Sequence, residues 1–122
     1  MQFFILKLSG SITIGDSEAQ LQKQIDTALD RGFESIVLDM EHVDYLDSSA
    51  VGVLAAAYAT ITERNGQIAL VALKPKIRKL LQIMSFIEIF QVYDSLEDAL
   101  QIMRKHSIHQ FKVVPQPQRI AV

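Results

Sequence analysis

"SIVLDMEHVDYLDSSAVGVLAAAYATITERNGQIALVAL" (residues 35–73) changes its apolar rhythm twice. Ser35 to Met40 run apolar without polar alternation, which suits a strand buried on both faces in a sheet with helices on each side. From Ser48 onward Val51, Leu54, Ala55, Tyr58 and Ile61 fall on one face of a helix, and Asn65-Gly66 closes it with residues that tolerate the left-handed conformation. Gln67 to Leu73 then repeat the buried-strand pattern. Strand, helix and strand of these lengths imply parallel pairing through a right-handed crossover.

The same alternation extends in both directions. Lys74-Pro75 opens a third helix, since proline at the first helical position loses no needed N–H, and Ile77, Leu80, Leu81 and Met84 supply its inner face. "EIFQVY" (88–93) reads as a last strand, and Asp94 starts a helix with Leu96, Ala99, Leu100 and Met103 on one side. Upstream, "FFILKLSGSITI" (3–14) is β-branched and aromatic but broken at Ser9-Gly10-Ser11, giving one bent strand or two short ones. "SEAQ" (17–20) has the form of a capping box, and Leu21, Ile25, Ala28 and Leu29 carry a helix to Arg31-Gly32. The expectation is an α/β layered domain over residues 1–105, with a mostly parallel central sheet of four to five strands and about four helices. Residues 106–122 lose periodicity and gain prolines, and read as a C-terminal tail with one short strand at Phe111 to Val114.

The chain has 122 residues, 49% of them apolar and 21% charged, in the range of one globular domain with its own core. A net charge of −2 leaves no basic footprint for several phosphates, so direct nucleic-acid binding is not expected. There is no cysteine, which excludes disulfides, thiolate catalysis and thiolate metal sites. His106 and His109 are spaced as solvated surface rather than as ligands, so neither a metal nor a cofactor is expected. "MQFFILKLSG" lacks a basic n-region, and its apolar run is too short for a secretory leader or a membrane span, so a soluble cytoplasmic protein is expected.

The chemistry concentrates between the first long strand and its helix. Asp47 and Ser48 are both good N-cap residues, and capping alone accounts for one of them. Capping leaves unexplained two adjacent serines, Ser48 and Ser49, amid Asp39, Glu41, Asp44 and Asp47 at the carboxyl end of a central strand, the edge where open parallel sheets engage ligands and partners. A serine at a helix N-terminus accepts a phosphoryl group at modest structural cost, because free N–H groups and the helix dipole favour anionic charge. A partner shaped to a neutral hydroxyl would instead meet about two new negative charges, and like charges in an interface cost several kcal/mol.

These residues carry a resemblance. Residues 5–104, above all the buried strand, the Asp-Ser-Ser-small stretch opening a helix, Asn-Gly, the next strand and "SFIEIF" (85–90), resemble the STAS domain, and especially its free-standing bacterial anti-sigma factor antagonists. The resemblance implies a partner-switching phosphoprotein of signal transduction and transcription regulation, and not an enzyme. Unphosphorylated, it captures an anti-sigma factor that is also a serine kinase; phosphorylation ends the capture. The phosphoacceptor position falls on Ser48, with Ser49 the less favoured neighbour and Asp47 positioning the site; a phosphoserine phosphatase is a further implied partner. Relatives commonly show Gly-Glu-Leu-Asp after the early strand, where this chain has Gly10-Ser11-Ile12-Thr13, so the kinase-facing acid is replaced by Thr13. The residue after the second serine is commonly Gly and is Ala50 here. The family's usual first strand is short or absent, leaving a sheet edge that Phe111 to Val114 or a second chain would cover, in a monomer or weak homodimer.

Partner contacts are expected from Asp44, Asp47, Ser48, Ser49, Gly52, Lys74 and Lys76. Gly52, Ala56 and Ala59 form a small-residue line on the second helix whose first explanation is close packing on the sheet. Lys74 should leave its strand at the same edge as Ser48, so Lys74 or Lys76 would contact the kinase or the phosphoserine. His42, Asp47 and Ser48 do not make a hydrolase, because there is no Gly-x-Ser-x-Gly elbow and His42 falls at or just past a strand end. Asp39 as a receiver phosphoacceptor would need an acidic pair where Ser9-Gly10-Ser11 stand. A sheet edge rich in acids without a glycine-rich phosphate loop offers no evident ligand pocket. The competing function on the same fold is a scaffold or signalling subunit of a stressosome-like or other phosphorelay assembly.

Overall fold

The structure, a computed structural model, describes residues 3–112, with side chains for residues 3–105. Its elements are β1 (Phe3–Ile12), α1 (Asp16–Asp30), β2 (Ser35–Leu46), α2 (Ser48–Glu63), β3 (Gln67–Val71), α3 (Pro75–Ile83), β4 (Gln91–Tyr93) and α4 (Leu96–Lys112). The sheet has the order β1-β2-β3-β4 with every pair parallel, the α/β architecture expected from the alternation.

Sequential strand order with crossovers of one hand places the crossover helices on one face. There Leu21 and Ile25 of α1, Leu54 and Ile61 of α2, and Ile77 and Leu81 of α3 pack on Leu6, Ile36, Leu38, Ile68 and Leu70. α4 returns across the opposite face of the sheet. Ala99 and Met103, flanked by Leu96 and Leu100, cover Val37, Ala69 and Val71 there. The central strands β2 and β3 are therefore sandwiched, which is why their sequences run apolar without alternation. Each fully buried Leu, Ile or Met contributes about 1.5–3 kcal/mol of apolar transfer, so these two layers hold the sheet from both sides.

Several boundaries differ from expectation for identifiable reasons. The first segment is one strand, not two. The register between β1 and β2 slips between Lys7 and Ser9 and again between Gly10 and Ser11, and Gly10 has φ 75°. At each slip β2 carries an extra residue, so its inward positions become Met40, Val43 and Leu46, a spacing of three. β2 therefore runs six residues past Met40, and His42 lies within it, paired opposite Ser9, rather than at its end.

The capping box at Ser17 does not form. Gly15 is the N-cap of α1, and the Ser17 hydroxyl instead accepts from Thr13 N–H (2.8 Å) and donates to Thr13 C=O (3.0 Å). α4 is capped by Ser95, whose Oγ accepts from Asp98 N–H at 3.1 Å, one residue after the expected start at Asp94. β4 is only Gln91–Tyr93, because Phe86 to Phe90 form turns that tuck Phe90 into the core. α4 continues to Lys112, seven residues past the expected domain boundary; "HSIHQFK" contains no Gly or Pro to stop a helix once started. Phe111 and Lys112 are thus helical, and the rest of the short strand expected at Phe111 to Val114 lies outside the described residues. Among the described residues no strand pairs with the outer edge of β1.

Candidate functional site

β1 and β2 continue as a two-stranded extension beyond the end of β3. Val71 of β3 pairs with Asp39, whereas Ser9 to Ile12 pair with His42 to Leu46 further along. The ladder ends with Asp47 N–H donating to Ile12 C=O at 3.2 Å, so the entry to α2 and the loop from β1 to α1 meet side by side.

Asp47 ties that meeting point together. It is the N-cap of α2 in extended conformation, and its Oδ1 accepts from Ala50 N–H at 3.0 Å and from Ser49 Oγ–H at 2.6 Å. Its Oδ2 accepts from Ile14 N–H at 2.8 Å, across 33 residues of chain. The Ser49 hydroxyl first, then the Ile14 and Ala50 N–H groups, stabilise the charged carboxylate and hold its pKa below the usual carboxylate value. Capping by Asp47 was legible in the sequence; the bond to Ile14 was not.

This arrangement separates the two serines. Ser49 is half-buried and spends its hydroxyl on Asp47. Ser48, the first helical residue of α2, is exposed, and its hydroxyl makes no hydrogen bond to any of the described residues. The first turn of α2 carries no acidic residue of its own, so its free N–H groups and dipole are available to an anion on Ser48.

The four acids do not gather as one cluster. Asp39 sits level with the end of β3, and its Oδ1 accepts from Glu41 N–H at 3.1 Å. Glu41 reaches only His42, at 3.8 Å. Asp44 is the extra residue of the second bulge and meets Lys74 Nζ at 2.5 Å. That bond, the largest cause, together with the charges of Lys74 and Lys76, lowers the Asp44 pKa. Lys74 is the N-cap residue of α3, so the pair links the β2 bulge to the start of α3. Lys74 thus spends its charge on Asp44 and not on Ser48; Lys76 stays exposed in the first turn. His42 makes no bond to Asp47, whose oxygens are taken up by Ser49, Ala50 and Ile14. Among the described residues no three His, Asp or Glu side chains come together as a metal site, and no helix is long and apolar enough to cross a membrane.

Gly52, Ala56 and Ala59 correct the packing expectation. All three face solvent, while the buried side of α2 is Ala50, Val51, Val53, Leu54, Ala57 and Ile61. Gly52, Ala56 and Ala59 instead form a shallow outer strip that begins one turn from Ser48. Ile14, which the β-branched pattern of residues 3–14 places in the first strand, belongs to the site instead. It lies in the loop, 76% exposed, and Gly15 directly after it was the available signal for a turn.

A sequence model of the STAS domain matches residues 2–99. The Anti-sigma F factor antagonist of Paenibacillus polymyxa is 31% identical over 97 residues, covering 79% of this chain and 82% of that protein. Among solved structures, an anti-sigma factor antagonist from Mycobacterium paratuberculosis superposes with a TM-score of 0.70 and 27% identity, over 82% of this chain and 84% of the other. SpoIIAA, an anti-sigma factor antagonist, matches in its unphosphorylated form with a TM-score of 0.74 and 21% identity, over 85% of this chain and 90% of the other. Its phosphorylated form, from Bacillus, gives 0.66 and 23%, over 81% and 88%. The likeness to SpoIIAA is one of fold.

Proposed function

We propose that this chain, which belongs to the STAS domain family, is an anti-sigma factor antagonist: a binding module, not a catalyst, that captures an anti-sigma factor with serine kinase activity and releases it when Ser48 is phosphorylated. The observation that carries the assignment to Ser48 is the division of labour between the serines. Ser49 is held by Asp47, whereas the Ser48 hydroxyl is exposed and unbonded at a helix N-terminus.

The physical sequence follows from that geometry. A kinase approaching the end of the β1–β2 extension meets the Ser48 Oγ without breaking any internal hydrogen bond. The γ-phosphoryl group of the kinase's ATP passes to Ser48 Oγ, its bond to the β-phosphate breaks to release ADP, and the hydroxyl proton goes to the kinase's base. The product gains about −1.5 to −2 charge at the positive end of α2, so the fold tolerates it. The docked partner does not, because the contact was formed against a neutral hydroxyl and not against an added double charge. That this fold occurs phosphorylated in SpoIIAA supports the tolerance at fold level. A phosphoserine phosphatase would restore the capturing state, and soluble action in the cytoplasm fits a partner that works on transcription.

The test is incubation with the purified anti-sigma serine kinases of the source genome, with ADP or with ATP. In ADP one kinase is expected to co-elute with the domain; with ATP, mass spectrometry of the 44–58 peptide is expected to place one phosphate on Ser48. The Ser48→Ala protein should be captured but never released. No retention of any kinase, or a phosphate on Ser49 with Ser48 unmodified, refutes the reading.

A further inference from the structure

One long edge of the sheet is open. β1 is ten residues long, and among the described residues no strand pairs with its outer side; the other outer edge, on β4, is only Gln91–Tyr93. Open edges are templates for further pairing, and chains that stay single blunt them with charge, proline or bulges. Here that blunting is confined to one end. Lys7, both register slips and Gly10 at φ 75° come late in β1, whereas Phe3, Phe4, Ile5 and Leu6 form a regular ladder with Ser35 to Leu38 and have no strand on their other side among the described residues.

The side chains along that stretch are apolar on both faces. On the face shared with α4, the Arg104 guanidinium lies over the half-buried Phe3 ring and Ile5 is 39% exposed. On the face shared with α1, Phe4 is half-buried against Phe33, ring centres 4.9 Å apart, and Leu6 is buried. A strand laid along this edge would gain apolar cover on both faces as well as backbone hydrogen bonds.

We infer that the occupant is a second copy of this chain, its β1 paired antiparallel with the first about a two-fold axis normal to the sheet, so that two four-stranded sheets become one. Directly opposed residues of antiparallel strands share a face, so such a pairing centres on one residue and its mate. Centring on Ile5 opposes the two exposed isoleucines, sets Phe4 against Leu6 and Phe3 against Lys7, and stops where the slips begin. Centring on Phe4 shortens the ladder, and centring on Lys7 puts like charges face to face. Joining β1 to β1 also closes the assembly, whereas β1 on the β4 of a further copy would repeat without end and has only three residues to pair with. The paired stretch is short and the interface falls below about 1,200 Å², so the dimer is weak and concentration-dependent. Antiparallel pairing leaves the two Ser48 rims at opposite ends, both open to a partner.

Sedimentation equilibrium of the parent, Ile5→Lys and Ile83→Lys proteins between about 1 μM and 1 mM, with thermal melts of each, tests the interface. Ile83, 71% exposed on α3, controls for association through any exposed isoleucine. The parent is expected to dimerise within that range, Ile5→Lys to associate at least tenfold more weakly with its melt unchanged, and Ile83→Lys to match the parent. The chain has no cysteine, so the register is read by oxidative cross-linking: Ile5→Cys should form a disulfide-linked dimer, and Lys7→Cys should do so only when mixed with Phe3→Cys. A parent that stays monomeric throughout, or a dimer that Ile83→Lys dissolves and Ile5→Lys does not, overturns the inference. Lys7→Cys cross-linking alone as fast as Ile5→Cys overturns the pairing centred on Ile5. No anti-sigma factor enters these measurements, so the dimer and the Ser48 switch stand or fall separately.

Discussion

Gly66→Ala should be among the most damaging single-methyl additions this chain can suffer. Gly66 follows Asn65, which takes the left-handed turn at φ 65°, so the glycine is not there for its dihedrals. A Cβ on Gly66 would stand 2.0 Å from the Glu34 carbonyl oxygen and 3.1 Å from both Glu34 C and Ile61 Cγ2. Real Cβ atoms stay beyond 3.0 Å, so the entry to β3 and the entry to β2 would have to part by about 1 Å. Two hydrogen bonds lie in that seam, Gln67 N–H to Glu34 C=O and Gly66 N–H to Ile61 C=O, each 2.9 Å. Overpacking of this kind costs about 1–3 kcal/mol and each weakened backbone bond about 1 kcal/mol, giving about 3–5 kcal/mol together. For a domain of this size that lowers Tm by about 10–25 °C, read by far-UV circular dichroism. Gly32→Ala is the comparison: its φ is 83° but nothing lies within 4 Å of the new methyl, so it costs only about 1–2 kcal/mol of left-handed backbone strain. Equal melts for the two variants, or a Gly66→Ala midpoint within about 3 °C of the parent, would refute the argument that close approach rather than turn geometry selects this glycine.

Asp47 has a depressed pKa in the fold, so its contribution is fully present above the unfolded carboxylate value of about 3.9 and is lost as pH falls through the lower folded value. Urea midpoints of the parent should therefore drop more steeply between about pH 4 and pH 2 than those of Asp47→Asn, and parallel curves would contradict the assigned bonds. Lys74→Ala should raise the Asp44 pKa toward its ordinary value, seen by carbon-detected NMR titration, while leaving that of Asp47 in place. A rise at Asp47 instead would show that the two carboxylates are coupled in a way the geometry does not provide.

The central strand–helix–strand unit was readable because its three periods are clean: buried runs at Ile36 to Leu38 and Ile68 to Val71, and a helical stripe from Val51 to Ile61. The second half of β2 was not, since two inserted residues turn an alternation of two into a spacing of three, and Met40, Val43 and Leu46 then look like neither helix nor strand. Ser17 misled because the letters of a capping box do not say which residue starts the helix; Gly15 took that place and freed Ser17 to clamp Thr13. At the site, the Asp-Ser-Ser motif announced a cap and a hydroxyl, but which serine was free depended on the direction of one Oγ, and Ile14 depended on a bond spanning 33 residues. The outward turn of Gly52, Ala56 and Ala59 was hidden because small residues serve both helix–sheet contacts and exposed strips.

α4 leaves the carboxyl end of β4 and runs back beneath the sheet until the Arg104 guanidinium lies 5.7 Å from the centre of the Phe3 ring, at the first described residue of β1. Its 17 residues, about 25 Å of helix, carry the chain away from the rim that holds Ser48. The backbone of Lys112 therefore stands at the pole opposite the rim, and a surface coated through a handle attached there would display the switch outward.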